Sequence, residues 1–161
     1  MIKSLKPNAN SHYSQGYYKP VNESKCKFSG QIIYRSSWER KFCMWLDHNE
    51  KVILWTSETV VVPYVHPLDK KIHRYYPDFF ATMQKNDSKQ NVLFEVKPKE
   101  QLPLTENMPK KPKRRTKKSV NTYNTRLETL LINKAKFEAA KEYCKARNWE
   151  FKIITEDFFK C

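Results

Sequence analysis

Asp78 follows Pro77 inside the apolar run Tyr75-Tyr76-Pro77-Asp78-Phe79-Phe80. Glu95 and Lys97 close a second such run, Val92-Leu93-Phe94-Glu95-Val96-Lys97. Side chains at i and i+2 of a strand share a face, so Glu95 and Lys97 project together. If the two runs pair as a hairpin around residues 85–90, Asp78 and Glu95 become neighbours. Adjacent carboxylates repel unless a cation lies between them. Oxygen donors with open positions suit Mg²⁺. Such an ion would hold a water and a phosphate oxygen, with Lys97 orienting the water or stabilising charge that builds on phosphorus. An acid-x-Lys pattern alone is commonly an exposed ion pair of little energetic weight. Here both acids stand among large apolar residues, where an unpartnered charge is costly.

Glu39 has two readings. Ser36 and Glu39 have the spacing of a capping box, in which the glutamate completes the start of a helix. At ~100° per residue, Glu39 also falls between Leu46 and Cys43, at the edge of the buried stripe. A carboxylate there can point along a sheet toward a metal, and the wheel does not choose between the two roles.

The elements that must position these groups are legible in outline. Trp38, Phe42, Trp45 and Leu46 form an amphipathic stripe after Ser36, predicting a helix that ends near His48-Asn49. Residues 52–58 and 59–65 read as strands, the second being an edge or ending at Pro63. Residues 66–71 form a turn, 73–83 a third strand, 85–90 a polar turn, and 91–97 a fourth strand stopped by Pro98. A long helix is expected from about Arg126 to Arg147, with Phe137, Ala140 and Cys144 on one face and Asn148 as cap. Residues 149–155 give a last strand, and 156–159 a short terminal helix or turn. The order α-β-β-β-β-α-β-α predicts an α/β protein, a mixed sheet with helices packed on it.

The 161 residues carry 31 Lys and Arg against 17 Asp and Glu, a net charge of +14. The excess is concentrated. Residues 1–30 hold five basic groups and one acid, and residues 102–126 hold eight and one. The domain reading is therefore a polar basic tail, 1–30, and one folded unit, 31–161, with a basic insertion at 102–126. Seven cations fall within nine residues: Lys110, Lys111, Lys113, Arg114, Arg115, Lys117 and Lys118. Such a block self-repels and suits a polyanion. With Arg35 and Arg40 it forms the expected nucleic-acid-binding set. No apolar run reaches the ~18–20 residues of a membrane span. The first twenty residues lack a signal-peptide core, so a cytoplasm is expected. Cys26, Cys43, Cys144 and Cys161 are read as reduced thiols. His12, His48, His66 and His73 form no closely spaced ligand pair with them, so structural zinc is not expected.

Three blocks taken in order, YRSSWE (34–39), RYYPDF (74–79) and FEVKPKEQ (94–101), resemble the PD-(D/E)XK nuclease superfamily. They look most like its head completion nucleases from T-even-like tailed phages. Residues 133–156 are similar to that family's C-terminal helix and strand, and a more distant likeness is to endonuclease subunits of cut-and-paste transposons. The resemblance implies a restriction-endonuclease-like fold and divalent-metal hydrolysis of DNA. Asp78, Glu95 and Glu39 would be metal ligands, Lys97 the catalytic lysine, and Gln101 an accessory glutamine. The ion would be Mg²⁺, with Mn²⁺ able to substitute. The implied role is an endonuclease acting at DNA ends or branched structures during head completion. Its setting would be the host cytoplasm or the virion, with portal or neck proteins as further partners. The rival readings are a non-catalytic completion protein that holds packaged DNA and a transposon-type end-cleaving enzyme. A basic chromatin-like or RNA-binding protein would have the charge, but no recognition helix or aromatic RNA-binding motif is present.

Overall fold

The computed structural model describes residues 14–27 and 31–160. Most of the expected tail, with His12, and also Cys161 lie outside the described residues. The elements run β1 (Gly16–Tyr18), β2 (Ile32–Tyr34), α1 (Ser37–His48), β3 (Val52–Ser57), β4 (Val62–Val65) and β5 (Ile72–Tyr75). They continue with β6 (Phe79–Lys85), β7 (Ser88–Val96), α2 (Lys117–Lys145) and β8 (Glu150–Ile154). Short 3₁₀ turns lie at Lys99–Gln101, Thr105–Asn107 and Glu156–Phe159.

The central sheet has the order β3-β6-β7-β8. Its first three strands are antiparallel, and β8 joins β7 in parallel after the α2 crossover. Strand alternation divides the core in two. Val92, Phe94 and Val96 of β7 face α1, where they meet Phe42, Leu46, Trp55 and Phe79. Leu93 faces the other way, into a cluster with Ala140 and Cys144 of α2 and Val62, Tyr64 and Tyr75 of the β4–β5 ribbon. Glu95 and Lys97 share the parity of Leu93, so the strand that fills one core presents its charged end toward the ribbon.

α1 starts where the sequence predicts. Ser36 is its N-cap, and its side chain accepts from the Glu39 N–H. Phe42, Cys43 and Leu46 are fully buried. Burial of a side chain such as Phe42 contributes about 1.5–3 kcal/mol.

Two expectations are corrected. The third strand is not continuous. It breaks at Tyr76-Pro77-Asp78 into β5, which pairs with β4, and β6, which joins the central sheet. Proline has no N–H to donate and a fixed φ, so the chain changes sheets there. The strand through Pro63 is an edge, as expected: Pro63 sits opposite Arg74 in the two-stranded ribbon, where an exposed proline is tolerated. α2 begins at Lys117, not near Arg126, because Thr116 and Ser119 form a capping box. Residues 117–126 of the basic insertion therefore form nearly three turns of helix. α2 stops as expected near Asn148, which takes φ 56°, a left-handed conformation that asparagine tolerates.

The described part of the N-terminal segment, residues 14–27, is docked rather than loose. β1 pairs with β2, a strand that the sequence reading did not contain. Asp47, 0 % exposed on α1, accepts from the Tyr18 hydroxyl at 2.8 Å, the Val21 N–H at 2.7 Å and the Asn22 N–H at 3.0 Å. Burial alone would raise this carboxyl. The donors from Val21, Tyr18 and Asn22 outweigh it and hold the group below the ordinary carboxylate range. Cys43 and Cys144 are buried, and none of Cys26, Cys43 and Cys144 is in a disulfide among the described residues. Among the described residues, no helix is long and apolar enough to cross a membrane.

Candidate active site

Antiparallel pairing sets Phe79 opposite Phe94, so Asp78 and Glu95 fall opposite one another at the next position. Asp78 lies at the break before β6, and its Oδ2 accepts from the Val96 N–H at 2.8 Å. Its backbone carbonyl accepts from the Glu58 N–H at 3.0 Å. The residue is thus pinned by side chain and main chain to β7 and to the end of β3. Glu95 is 4 % exposed. One of its oxygens lies 3.2 Å from Lys97 Nζ, and the other accepts from the Tyr75 hydroxyl at 2.8 Å. The expected same-face placement of Glu95 and Lys97 therefore holds, and Tyr75 joins them from β5.

Glu39 comes from α1. Its Oε2 accepts from the Arg35 N–H at 2.8 Å and its Oε1 from the Ser36 hydroxyl at 3.1 Å. These bonds close the helix start and fix the carboxylate in one orientation. The same carboxylate lines an open cleft of about 610 Å³ with Arg35, Trp38, Lys97, Gln101 and Glu156. Capping and a place in the cleft are compatible, because the cap holds the group in position.

The electrostatics confirm that these charges feel one another. Burial raises the Asp78 carboxyl well above its ordinary value, and the Glu95 and Glu39 charges raise it further. Burial raises Glu39 as well, against the donors from Arg35 and Ser36. Burial alone would lower Lys97. Glu95 and Asp78 outweigh it and hold the ammonium above its ordinary value, so Lys97 carries a proton at neutral pH. Three carboxyl groups gather round one half-buried cation, and the raised Asp78 and Glu39 mark negative charge that the lysine does not balance. Hard oxygen donors around that excess, beside an open cleft, fit a divalent cation.

Other expected residues are placed differently. Gln101 lines the cleft, and its main-chain carbonyl accepts from Asn133 Nδ2 of α2 at 2.9 Å. Arg35 borders the cleft, but its guanidinium is bidentate to Glu58 at 2.6 and 3.3 Å. Arg40 is exposed on α1. Lys110 to Lys118 lie outside the cleft lining, exposed along the loop and the first turn of α2. Among the described residues none of these seven cations is ion-paired. Tyr75, Glu58 and Asn133 were not found from the sequence. Each acts through a partner 20 or more positions away, and no local pattern marks them.

Residues 49–156 match the family described as TnsA-like endonuclease N terminal. The chain belongs to this endonuclease family; its mixed sheet flanked by helices is a restriction-endonuclease-like domain, and its activity is hydrolysis of DNA. It is similar to the head completion nuclease of Enterobacteria phage T4, with 35% identity over 143 residues covering 88% of this chain and 91% of that protein. No solved structure matches it significantly. Membership in this family implies a divalent metal ion.

Proposed function

We propose that this chain is a Mg²⁺-dependent DNA endonuclease of phage head completion, with Asp78, Glu95 and Glu39 holding the ion and Mn²⁺ able to replace it. The observation that carries the reading is the convergence of two facing strand acids with a helix-borne acid and a protonated lysine, the last two of which line one open cleft. The ion would supply Lewis-acid polarisation of the scissile phosphate and a more acidic water.

The geometry supports the following residue roles. Asp78, tied to the Val96 N–H, and Glu95, held by Tyr75 and Lys97, are fixed in orientation before an ion arrives. Lys97 stays charged, so it serves as an electrostatic group rather than a base. It stabilises the negative charge that grows on the phosphoryl oxygens as the attacking oxygen bonds to phosphorus and the leaving oxygen departs. Gln101 follows Lys97 at the cleft wall, where its amide is an accessory contact to substrate.

The first three turns of α2 extend the binding surface. Asn133 anchors the helix to Gln101, and Lys117 stands sixteen residues away, about 24 Å at 1.5 Å per residue. That span compares with the width of a duplex. Cations at a helix N-terminus oppose the macrodipole, so Lys117 and Lys118 are explained by a partner rather than by helix stability. Lys110 to Lys118, with Arg40, would hold the phosphate backbone. The relative's name places its work in head completion. For this chain the proposed setting is the host cytoplasm, or the virion, and the proposed action is at DNA ends or branched structures, with portal or neck proteins as neighbours. A non-catalytic completion protein and a transposon-type end-cleaving enzyme are less favoured, the first because the acid set is intact.

The test is cleavage of duplex, overhang and branched DNAs with Mg²⁺, Mn²⁺ and Ca²⁺. Cleavage with Mg²⁺ or Mn²⁺, lost in Asp78→Ala and in Glu95→Ala while DNA binding survives, is the expected result. Cleavage at the wild-type rate by either variant would overturn the assignment.

A further inference from the structure

The β4–β5 ribbon ends in a second cluster, outside the cleft. His66 Nδ1 or Nε2, an Asp69 oxygen and a His73 ring nitrogen all lie within 4.8 Å of one another. His73 Nε2 is 2.7 Å from Asp69 Oδ2, and His66 Nδ1 is 3.6 Å from Asp69 Oδ1. The two imidazoles stack, with centroids 4.4 Å apart and planes at 26°. The ribbon builds this arrangement. Tyr64 pairs with His73, His66 lies two residues beyond Tyr64 on the same face, and Lys70 at φ 59° turns the chain back. His66 and His73 therefore project together, and Asp69 from the turn completes the set.

The hydrogen bonding leaves one position unsatisfied in chemical terms. His66 Nδ1 accepts from the Leu68 N–H at 3.4 Å, and Asp69 Oδ1 accepts from the Lys71 N–H at 2.9 Å. Two acceptors thus face each other across 3.6 Å. A shared cation resolves that opposition. Bonds of ~2.0–2.1 Å around a tetrahedral ion put donor atoms about 3.3 Å apart, and the 2.7 and 3.6 Å separations bracket this value. Two imidazoles with one carboxylate are softer than the all-oxygen set of the cleft and prefer zinc to magnesium. Side-chain exposures of 16 % for His66, 42 % for Asp69 and 40 % for His73 leave a path for the ion and a water as fourth ligand.

We propose that His66, Asp69 and His73 form a zinc-class divalent metal site that clips the tip of the β4–β5 ribbon, separate from the catalytic cleft. This reverses the expectation of no structural zinc, which weighed histidines against cysteines and not against an aspartate across a turn. A two-stranded ribbon is marginal alone. This one carries Tyr75, the donor to Glu95, two residues from His73, so a clip at its tip stiffens the element that supports the cleft.

The test uses the full chain, stripped with chelator, in an Asp78→Asn/Glu95→Gln background that disables the cleft. Zn²⁺ is titrated by calorimetry in the presence of millimolar Mg²⁺, and Co²⁺ by visible absorption. One equivalent of Zn²⁺ should bind despite Mg²⁺, Co²⁺ should give a four-coordinate spectrum, and Asp69→Asn or His73→Ala should weaken binding by about 10–100-fold. Circular dichroism checks that each variant folds, and His66→Ala supplies a third. Zn²⁺ binding of equal strength in all three variants, or none above the level of a non-specific surface, would reduce the cluster to an ion-paired turn and overturn the proposal.

Discussion

Glu95 receives three influences of different kinds: an ammonium at 3.2 Å, a phenol at 2.8 Å and the charge of Asp78 opposite. In the proposed site the ammonium would serve the reaction, and the phenol would serve the carboxylate. Tyr75→Phe deletes one donor and little volume. Outer donors to a metal ligand are worth about 10–100-fold. The variant should therefore need more Mg²⁺ for half-maximal cleavage and turn over more slowly at saturation, with DNA affinity unchanged. An unaltered Mg²⁺ dependence would leave Tyr75 as packing alone. Lys97→Ala should lower the single-turnover rate by about 10²–10³-fold, the scale of one lost transition-state donor, while metal still binds. Lys97→Arg should rescue poorly, because a planar fork does not replace a point charge. Glu39→Gln keeps one acceptor oxygen for the Arg35 N–H, turns an NH2 donor toward the Ser36 oxygen and removes the charge. Retained melting temperature with lost cleavage assigns Glu39 to catalysis, whereas lost melting temperature with full cleavage assigns it to the cap.

At the scale of elements, the docked segment around β1 depends on one carboxylate. Asp47→Asn replaces an oxygen with an amide that faces a donor, and a buried donor left unmet costs about 1–3 kcal/mol. Asp47 has a lowered value in the folded protein, so its contribution is present above the ordinary carboxylate range near ~3.9. It is lost as pH falls through the folded value. Acid should therefore release residues 14–27 before the core unfolds. The Tyr18 ring lies 6.1 Å from that of Trp55, so tryptophan fluorescence reports the release. Asp47→Asn should start partly released at neutral pH and lack the acid step. A wild-type acid profile in the variant would assign the docking to β1–β2 pairing alone.

On the proposed reading, the whole molecule separates chemistry from attachment. Asp78, Glu95 and Lys97 gather where β6 and β7 meet the β4–β5 ribbon, Glu39 reaches them from α1, and the densest positive charge sits along residues 110–118. Replacing those seven cations by Gln or Ser should weaken DNA binding and leave cleavage at saturating DNA nearly unchanged. Each phosphate contact contributes about 0.9 to the slope of log K against log salt, so loss of about half of seven contacts flattens it by about 3. Sequence preference should not change, because phosphate contacts position the duplex without reading it. Salt titration and single-turnover kinetics on one variant measure both effects. An unchanged slope would assign the segment to a protein partner.

Features governed by near neighbours were legible from the chain alone. Ser36 and Glu39 mark the start of α1 because a cap acts over one turn. Asp78, Glu95 and Lys97 could be brought together because a hairpin and strand alternation relate them by counting. The basic block was visible as composition. The strand through Pro77 was read as one because apolar residues continue on both sides, whereas the ribbon and the central sheet compete for them and proline decides the boundary. The start of α2 was placed too late because like charges argued for a loop, while the Thr116–Ser119 cap and the attachment of the helix's later turns outweighed them. Tyr75 on Glu95, Asp47 on the N-terminal segment and Asn133 on Gln101 join residues 20 to 32 positions apart. Only the packing of sheet, ribbon and helices selects such partners, since the hydrogen bond of a buried polar group is chosen by whatever donor or acceptor the fold carries to it.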